Sequence, residues 1–235
     1  MFHLGRRLTV EGAGVLQGFT DWHCHILPGV DDGIRTMDEA LGVLDWYGSS
    51  GVSQVWLTPH IMEDIPNSTE SLRERFAQLC EAYRGPIRLH LASENMMDNL
   101  FLERLASRDL LPLGEEGKLL LVETSYFNPP VDLYGIFEKI REAGFEPLLA
   151  HPERYVYMDT DDYRRLADEG ILLQMNIPSL CGAYGREAFD KARRLLSEGF
   201  YDRCGSDLHR LTHFQGAVRQ KVLDTKTVKN LNDLL

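Results

Sequence analysis

Short apolar runs that each stop at a histidine or a carboxylate recur along this chain, and they restrict its fold more than any other feature. The first is Phe19-Thr-Asp-Trp-His-Cys-His25, with Asp31 and Asp32 close behind. Val55-Trp-Leu-Thr-Pro-His60, Ile87-Arg-Leu-His-Leu-Ala-Ser-Glu94, Leu119-Leu-Leu-Val-Glu123 and Pro147-Leu-Leu-Ala-His151 repeat the design, and Arg203-Cys-Gly-Ser-Asp-Leu-His209 closes the set. Each run suits a parallel strand buried on both faces, with a functional residue at its carboxyl end. Delivering side chains from the carboxyl ends of many parallel strands to one rim is the arrangement of a (β/α) barrel.

Side chains alternate along a strand, so His23 and His25 point the same way and Cys24 points away from them, into the core. Asp207 and His209 mirror that pair if their backbone is extended. Neutral imidazole is the commonest protein ligand for a transition metal. His23, His25, His60, His151 and His209, together with several carboxylates, exceed what one tetrahedral zinc needs. The surplus points to two or three divalent ions sharing bridging carboxylates. Clustered divalent ions suit phosphate-ester hydrolysis, because they bind phosphoryl oxygens and activate a water. Carboxylates mixed with imidazoles favour Mn, Fe or Zn over Cu. No covalent nucleophile is needed, and cysteine-dependent phosphatase chemistry is not expected.

Helical patterns fill the gaps between strands expected near 19–22, 54–58, 87–92, 119–123, 147–150, 172–176 and 203–206. One helix opens on Thr36-Met-Asp-Glu39, a capping box, and should turn Leu41, Leu44 and Trp46 inward. A second, over 68–84, offers Leu72, Phe76, Leu79 and Cys80, and others over 133–143, 161–169 and 186–198 stop at Gly144, Gly170 and Gly199. The tail, 218–235, reads as a helix on the surface. This alternation predicts a somewhat irregular, seven-stranded α/β barrel forming a single domain over 1–235. With 43% apolar residues the chain can bury a large core, and no apolar stretch is long enough for a membrane span. Four scattered cysteines and no signal-type N-terminus fit a cytoplasmic protein. A net charge of −11 argues against nucleic acid as a partner. It does not argue against a phosphate substrate, since bound cations invert the local field.

The string His23-Cys-His-Ile-Leu-Pro-Gly-Val-Asp-Asp-Gly33, with Thr58-Pro-His60, Glu94, Val122-Glu-Thr-Ser125, Ala150-His-Pro-Glu-Arg-Tyr155 and Gly205-Ser-Asp-Leu-His209, resembles the PHP (polymerase and histidinol phosphatase) superfamily. Within it, the match is similar to the bacterial capsule/exopolysaccharide-associated tyrosine-protein phosphatases, from about Gly18 to Gln215. The resemblance implies a distorted (β/α)7 barrel with a three-metal centre, usually manganese. It also implies dephosphorylation of a tyrosine kinase that controls polysaccharide export. Carried over, it places His23, His25, Glu94 and Asp207 around one ion, Glu94, Glu123 and His151 around a second, and Asp32, His60 and His209 around a third. Asp31 falls behind the ligands, although it could exchange places with Asp32. Arg154, Asp207 and His209 are the candidate catalytic residues, with Arg154 aimed at the substrate phosphate as a planar bidentate donor.

Relatives often follow the His60 position with a basic run, where this chain has Ile61-Met-Glu-Asp64. Likewise Arg210 follows His209 directly, where a basic residue is expected slightly later. Two other substrates or roles fit the same ligands: a small phosphate such as histidinol phosphate, or a catalytically silent module. An amidohydrolase, which also begins with His-X-His, would place a carboxylated lysine where this chain has Glu94 or Glu123. His90 reads as a packing histidine, His3 and His213 have no partners at informative spacing, and Trp22, Trp46 and Trp56 read as core. Tyr126, Phe127, Pro129 and Pro130 fit either a substrate mouth or a loop packed on the rim.

Overall fold

The computed structural model describes residues 7–235, so His3 lies outside the described residues. Its frame is a curled parallel sheet of seven staves: β1 (Thr20–Cys24), β2 (Gln54–Leu57) extended by β3 (His60–Ile61), β4 (Arg88–Leu91) extended by β5 (Glu94–Met96), β6 (Leu119–Glu123), β7 (Glu146–Ala150), β8 (Leu172–Asn176) and β9 (Arg203–Gly205). Every expected strand is present, but the second and third are each broken into two pieces. Hydrogen bonding groups them as β1-β2-β4 and β3-β5-β6-β7-β8-β9. One break falls at Pro59, which has no N–H for the ladder. The pieces stay in line, since the Ala92 N–H donates to the Leu57 carbonyl at 2.9 Å and the Glu94 N–H to that of Pro59 at 3.1 Å. Between β4 and β6 the chain inserts Leu111 and Leu113, the latter bridged to Leu119. That insertion is the distortion of the barrel.

The ring closes where β9 meets β1. The Ser206 and Asp207 N–H groups both donate to the His23 carbonyl (3.1 and 2.8 Å), and the His25 N–H donates to that of Leu208 (3.0 Å). Asp21 fastens this seam from within. Its buried carboxylate accepts from Ser206 Oγ at 2.6 Å, Ser206 N at 2.8 Å and Tyr47 Oη at 2.8 Å. Removing such an acceptor would orphan several buried donors at once.

The helices cover the outside. In α1 (Met37–Ser49) the predicted capping box forms between Thr36 and Glu39. This helix buries Ala40, Val43, Leu44 and Tyr47, and the expected Leu41 and Trp46 pack against the same core while remaining partly covered. α2 (Thr69–Ala82) likewise buries Leu72 and Leu79 and leaves Cys80 exposed. α3 (Phe101–Ser107), α4 (Leu133–Glu142), α5 (Thr160–Asp168), α6 (Ile177–Leu180), α7 (Gly185–Glu198) and α8 (Leu211–Val218) follow. The tail departs from the single surface helix expected. Leu223 pairs with Leu8, Asp224 caps a new helix, and α9 (Thr225–Leu234) buries Thr227 and Leu231. None of the described helices is long and apolar enough to cross a membrane.

Two apolar clusters result among the described residues. The larger lies between sheet and helices. The smaller fills the amino-terminal end of the barrel, where Trp56 stacks on Trp22 at 5.8 Å and on His90 at 4.5 Å above Leu121 and Leu148. His90 is thus a packing residue. The opposite end of the barrel holds the polar residues. Gly205 marks the tightest point of the seam, because a Cβ there would stand 2.5 Å from the His23 Cβ and 2.9 Å from Gln174 Nε2. Backbone and buried side chains on both sides leave little room to yield. Gly205→Ala should therefore cost about 2 kcal/mol or more, a fall in Tm of about 4–8 °C by thermal denaturation, and an unchanged Tm would contradict this packing.

Candidate metal centre and substrate cavity

Eight of the expected ligands converge within the barrel mouth and the ninth, Asp32, reaches them from the loop after β1. His23, His25, Glu94, Glu123 and His151 are buried, with His60 and Asp207 nearly so. Donor atoms fall into overlapping groups: His23, His25 and Asp207; His23, Glu94 and His151; His60, Glu94 and Glu123; and His25, Asp32, His60 and His209. Glu94 is the hub, its Oε2 lying 3.2 Å from His23 Nε2, 3.2 Å from His25 Nε2 and 3.1 Å from His60 Nδ1, and its Oε1 3.0 Å from His151 Nε2. His60 faces two groups, its Nδ1 3.1 Å from Glu123 and its Nε2 3.6 Å from Asp32.

The outer contacts fix which nitrogen is offered inward. His25 Nδ1 pairs with Asp31 Oδ2 (2.8 Å), His23 Nδ1 with Gln174 Oε1 (2.8 Å) and His209 Nδ1 with the Asp207 carbonyl (3.0 Å). Acceptors on all three Nδ1–H groups leave each Nε2 lone pair free to ligate. Asp31 also accepts from the His60 and Gly33 N–H groups, so it backs this cluster of donor atoms, while Asp32 Oδ1 comes within 3.3 Å of His209 Nε2. β8 supplies no ligand but carries two amides on its inner face. Gln174 Nε2 donates to Asn176 Oδ1 (2.9 Å), and Asn176 Nδ2 donates to Asp207 Oδ2 (2.7 Å). Sequence reasoning missed this pair, although their alternation in Gln174-Met-Asn176 is the signal of a shared face.

Backbone strain concentrates here. His151 (φ 35°) and Asp207 (φ 49°) occupy the left-handed region that non-glycine residues avoid. The Asp207/His209 pair is therefore not presented by an extended strand, as expected, but by a turn after β9.

The donor set fits divalent cations. His60 Nδ1, Glu94 Oε2, Glu123 Oε1 and His151 Nδ1 are buried without a hydrogen-bond partner, and His23 Nε2 confronts His25 Nε2 at 3.2 Å. Lone pairs facing one another in a dry site need positive charge between them. Protons meet part of that need. Burial opposes charging His23, but Glu94 and Asp207 outweigh it and lift the imidazole to about 9. His25 is raised well above its ordinary value against the same burial cost, chiefly by Asp31. Glu94 is held well below the usual carboxylate range, because His23 and His60 overcome its burial. The His209 hydrogen bond brings Asp32 down to about 2.

A cavity of about 690 Å³ opens onto this rim. Arg154 lines it, and the guanidinium lies over the rings of Tyr126 and Tyr184, 4.3 and 4.1 Å from their centroids. Its Nη1 donates to Asp207 Oδ2 at 2.8 Å. Tyr184, absent from the sequence reading, also reaches that oxygen at 3.5 Å, and Tyr126 lines the mouth. Glu63, in the acidic stretch after His60, turns instead to Asn99. One spacing escaped the sequence reading: Cys204-X5-Arg210 is that of a cysteine-dependent phosphatase loop. The structure disarms it. Cys204 is buried with its thiol pushed well up by burial, and Arg210 Nη1 donates to the carbonyls of Asp32 (2.8 Å), Gly33 and His209.

Residues 19–227 match the family described as "Capsular polysaccharide synthesis, CpsB/CapC". The chain belongs to the CpsB/CapC family. It is 25% identical over 212 residues to a putative tyrosine-protein phosphatase CapC of Staphylococcus aureus, covering 88% of this chain and 83% of that one. It is 27% identical over 195 residues to the tyrosine-protein phosphatase YwqE of Bacillus subtilis (strain 168), covering 80% and 76%. A crystal structure from work on YwqE of Bacillus subtilis and CpsB of Streptococcus pneumoniae, described as unique metal-dependent tyrosine phosphatases, matches with a TM-score of 0.78 at 24% identity over 92% of both chains. The CpsB/CapC fold is thus shared.

For the metal-free protein, charged His23 contributes stability that is complete below its ordinary value of 6.5 and is lost as pH rises through about 9. Metal requires the neutral imidazole, so loading near about pH 7 should expel at least about one proton per chain. Calorimetric titration of stripped protein in two buffers of different ionisation enthalpy reads this directly. Metal uptake with no proton release would contradict the assignment.

Proposed function

We propose that this chain is a metal-dependent phosphatase that hydrolyses phosphotyrosine in protein, acting in the control of capsular polysaccharide synthesis. The observation that carries the reading is a single arginine edge, Arg154, held beside a many-donor His/carboxylate cluster at the end of one cavity. The names of the CapC and YwqE relatives support the same substrate class. Its substrate is proposed to be a tyrosine kinase of polysaccharide export, met in the cytoplasm, and the whole chain is proposed to work as one catalytic domain.

The proposed ligands are His23, His25, Asp32, His60, Glu94, Glu123, His151, Asp207 and His209, holding three ions with manganese favoured and iron or zinc as substitutes. When bound, such ions neutralise phosphoryl oxygens and make water a nucleophile near neutral pH. The chain's own residues do the placing. The Arg154 guanidinium lies over the rings of Tyr126 and Tyr184, and its N–H edge is the part that phosphoryl oxygens would meet. Asp207 fixes that edge through Oδ2 while Oδ1 points at His23, 3.6 Å away, and His25, 3.5 Å away. A phosphate held by Arg154 thus arrives beside His209 and Asp32 at the open side of the cluster. Burial opposes the charge on Arg154, but Asp207 keeps it protonated.

Stripped protein reloaded separately with Mn, Zn or Mg should release phosphate from a phosphotyrosine peptide in a metal-dependent way, and Mn should be best. Preference for histidinol phosphate would move the chain to small-molecule work, and no release from either would support the silent module. His151→Ala and Asp207→Ala should abolish hydrolysis while leaving the circular dichroism spectrum folded. Full activity in either would sink the metal-cluster mechanism. Arg154→Ala should raise KM by about tenfold or more before it alters metal content, since a charge-assisted fork is lost. An unchanged KM would remove Arg154 from phosphate binding.

A further inference from the structure

Arg154 and Arg210 both line the cavity, and they are held in different ways. Arg154 leans on a carboxylate, its Nη1 2.8 Å from Asp207 Oδ2. Arg210 leans on backbone. Its Nη1 donates to the carbonyls of Asp32 at 2.8 Å and His209 at 2.6 Å, and to that of Gly33. A terminal guanidinium nitrogen has only two hydrogens, so this one is fully taken up by peptide groups.

Those carbonyls belong to two separate stretches of chain. Asp32 and Gly33 lie in the loop after β1, and His209 lies in the turn after β9. Asp32 and His209 are also proposed ligands of the third ion. The Asp32 side chain is 65% exposed, and its carboxylate meets the cluster at His209 Nε2 (3.3 Å) and His60 Nε2 (3.6 Å). Facing donor atoms do not hold one another in place, so the position of Asp32 is set by its backbone.

The remaining ligand of that ion, His60, has a tie of the same kind. Asn67 Nδ2 donates to the Val30 carbonyl and to the His60 carbonyl, both at 2.9 Å. One amide nitrogen joins the loop after β1 to β3, just as Arg210 joins that loop to the turn after β9. Asp32 is therefore anchored on either side, at Val30 and at Gly33. A loop that must be ordered on binding lowers affinity, and ties already made remove that penalty.

We infer that Arg210 and Asn67 are positioning residues for the ion site of Asp32, His60 and His209, and that Arg210 does not bind the substrate phosphate. The inference rests on the phosphatase reading and divides the work of the two cavity arginines. Arg154 takes the phosphoryl group, and Arg210 builds the site beside it.

Stripped Arg210→Ala and Asn67→Ala proteins would be titrated calorimetrically with Mn(II) beside the wild type. In each variant one Mn step should weaken by about tenfold or more, the usual effect of losing a group behind a metal ligand, while the other steps stay close to wild type. Hydrolysis of a phosphotyrosine peptide by Arg210→Ala should fall at limiting Mn and recover in excess Mn, with KM near that of the wild type. Arg154→Ala should keep its Mn and keep its raised KM at every Mn concentration. A wild-type Mn isotherm in Arg210→Ala, or a raised KM that excess Mn does not repair, would overturn the inference. Equal weakening of every Mn step would also overturn it, because a general loss of structure does that. The two substitutions lie on different elements, so if circular dichroism shows one unfolded the other decides; unfolding of both would mean that the ties serve the fold at large. Wild-type protein that binds Mn but releases no phosphate would sink the phosphatase reading and leave the Mn titrations to judge the ties. Wild-type protein that takes up no Mn would end both.

Discussion

Glu94 is the group on which the rest of the mouth depends. One fully buried carboxylate stands within 3.0–3.2 Å of four imidazoles, and only a positively charged centre makes that arrangement favourable. The barrel brings this about by breaking a stave. After β4 the chain steps through Ala92 and Ser93, and the carboxylate reappears at the start of β5 beside His60, its partner across the ladder. Everything farther out, from the tyrosine-clamped Arg154 to the cavity wall, is arranged around that point.

Much of this could be read from the residues in order. The seven staves were legible because each is a short apolar run with an abrupt polar end, and the capping box at Thr36 is a purely local signal. Features fixed by distant neighbours were not legible. β3 and β5 are two and three residues long, and only the ladder holds them, β3 through β5 and β5 through both β3 and β6. That α1 buries Val43 and Tyr47 more fully than Leu41 and Trp46 was not legible either, since the rotation of a helix is decided by what it packs on, here Phe214 and the seam at Asp21. The convergence of the histidines and carboxylates followed from strand ends. The amides Gln174 and Asn176, and the clamp of Tyr126 and Tyr184 on Arg154, required the folded ring.

Asp207 shows how one side chain can serve two neighbourhoods. Its Oδ2 takes donors from Arg154, Asn176 and Tyr184, while Oδ1 faces the histidines. To reach both, the backbone accepts a left-handed conformation that costs of order 1–3 kcal/mol for a residue with a Cβ. His151 bears a similar cost across the mouth. The closed seam behind them, held by Asp21, supplies the rigidity that keeps these conformations populated.

That seam has a consequence for how the molecule comes into being. Asp21 and Ser206 are 185 positions apart in the chain, and no hydrogen bond between them can form until nearly all of it is available to fold. Long-range closure of this kind slows folding, since the loop entropy must be overcome before any contact rewards it. During synthesis on the ribosome, His23 and His25 would therefore emerge long before the strand that completes their surroundings. For that interval they are ordinary exposed imidazoles on an edge strand, open to whatever else in the cell binds metals or pairs with strands.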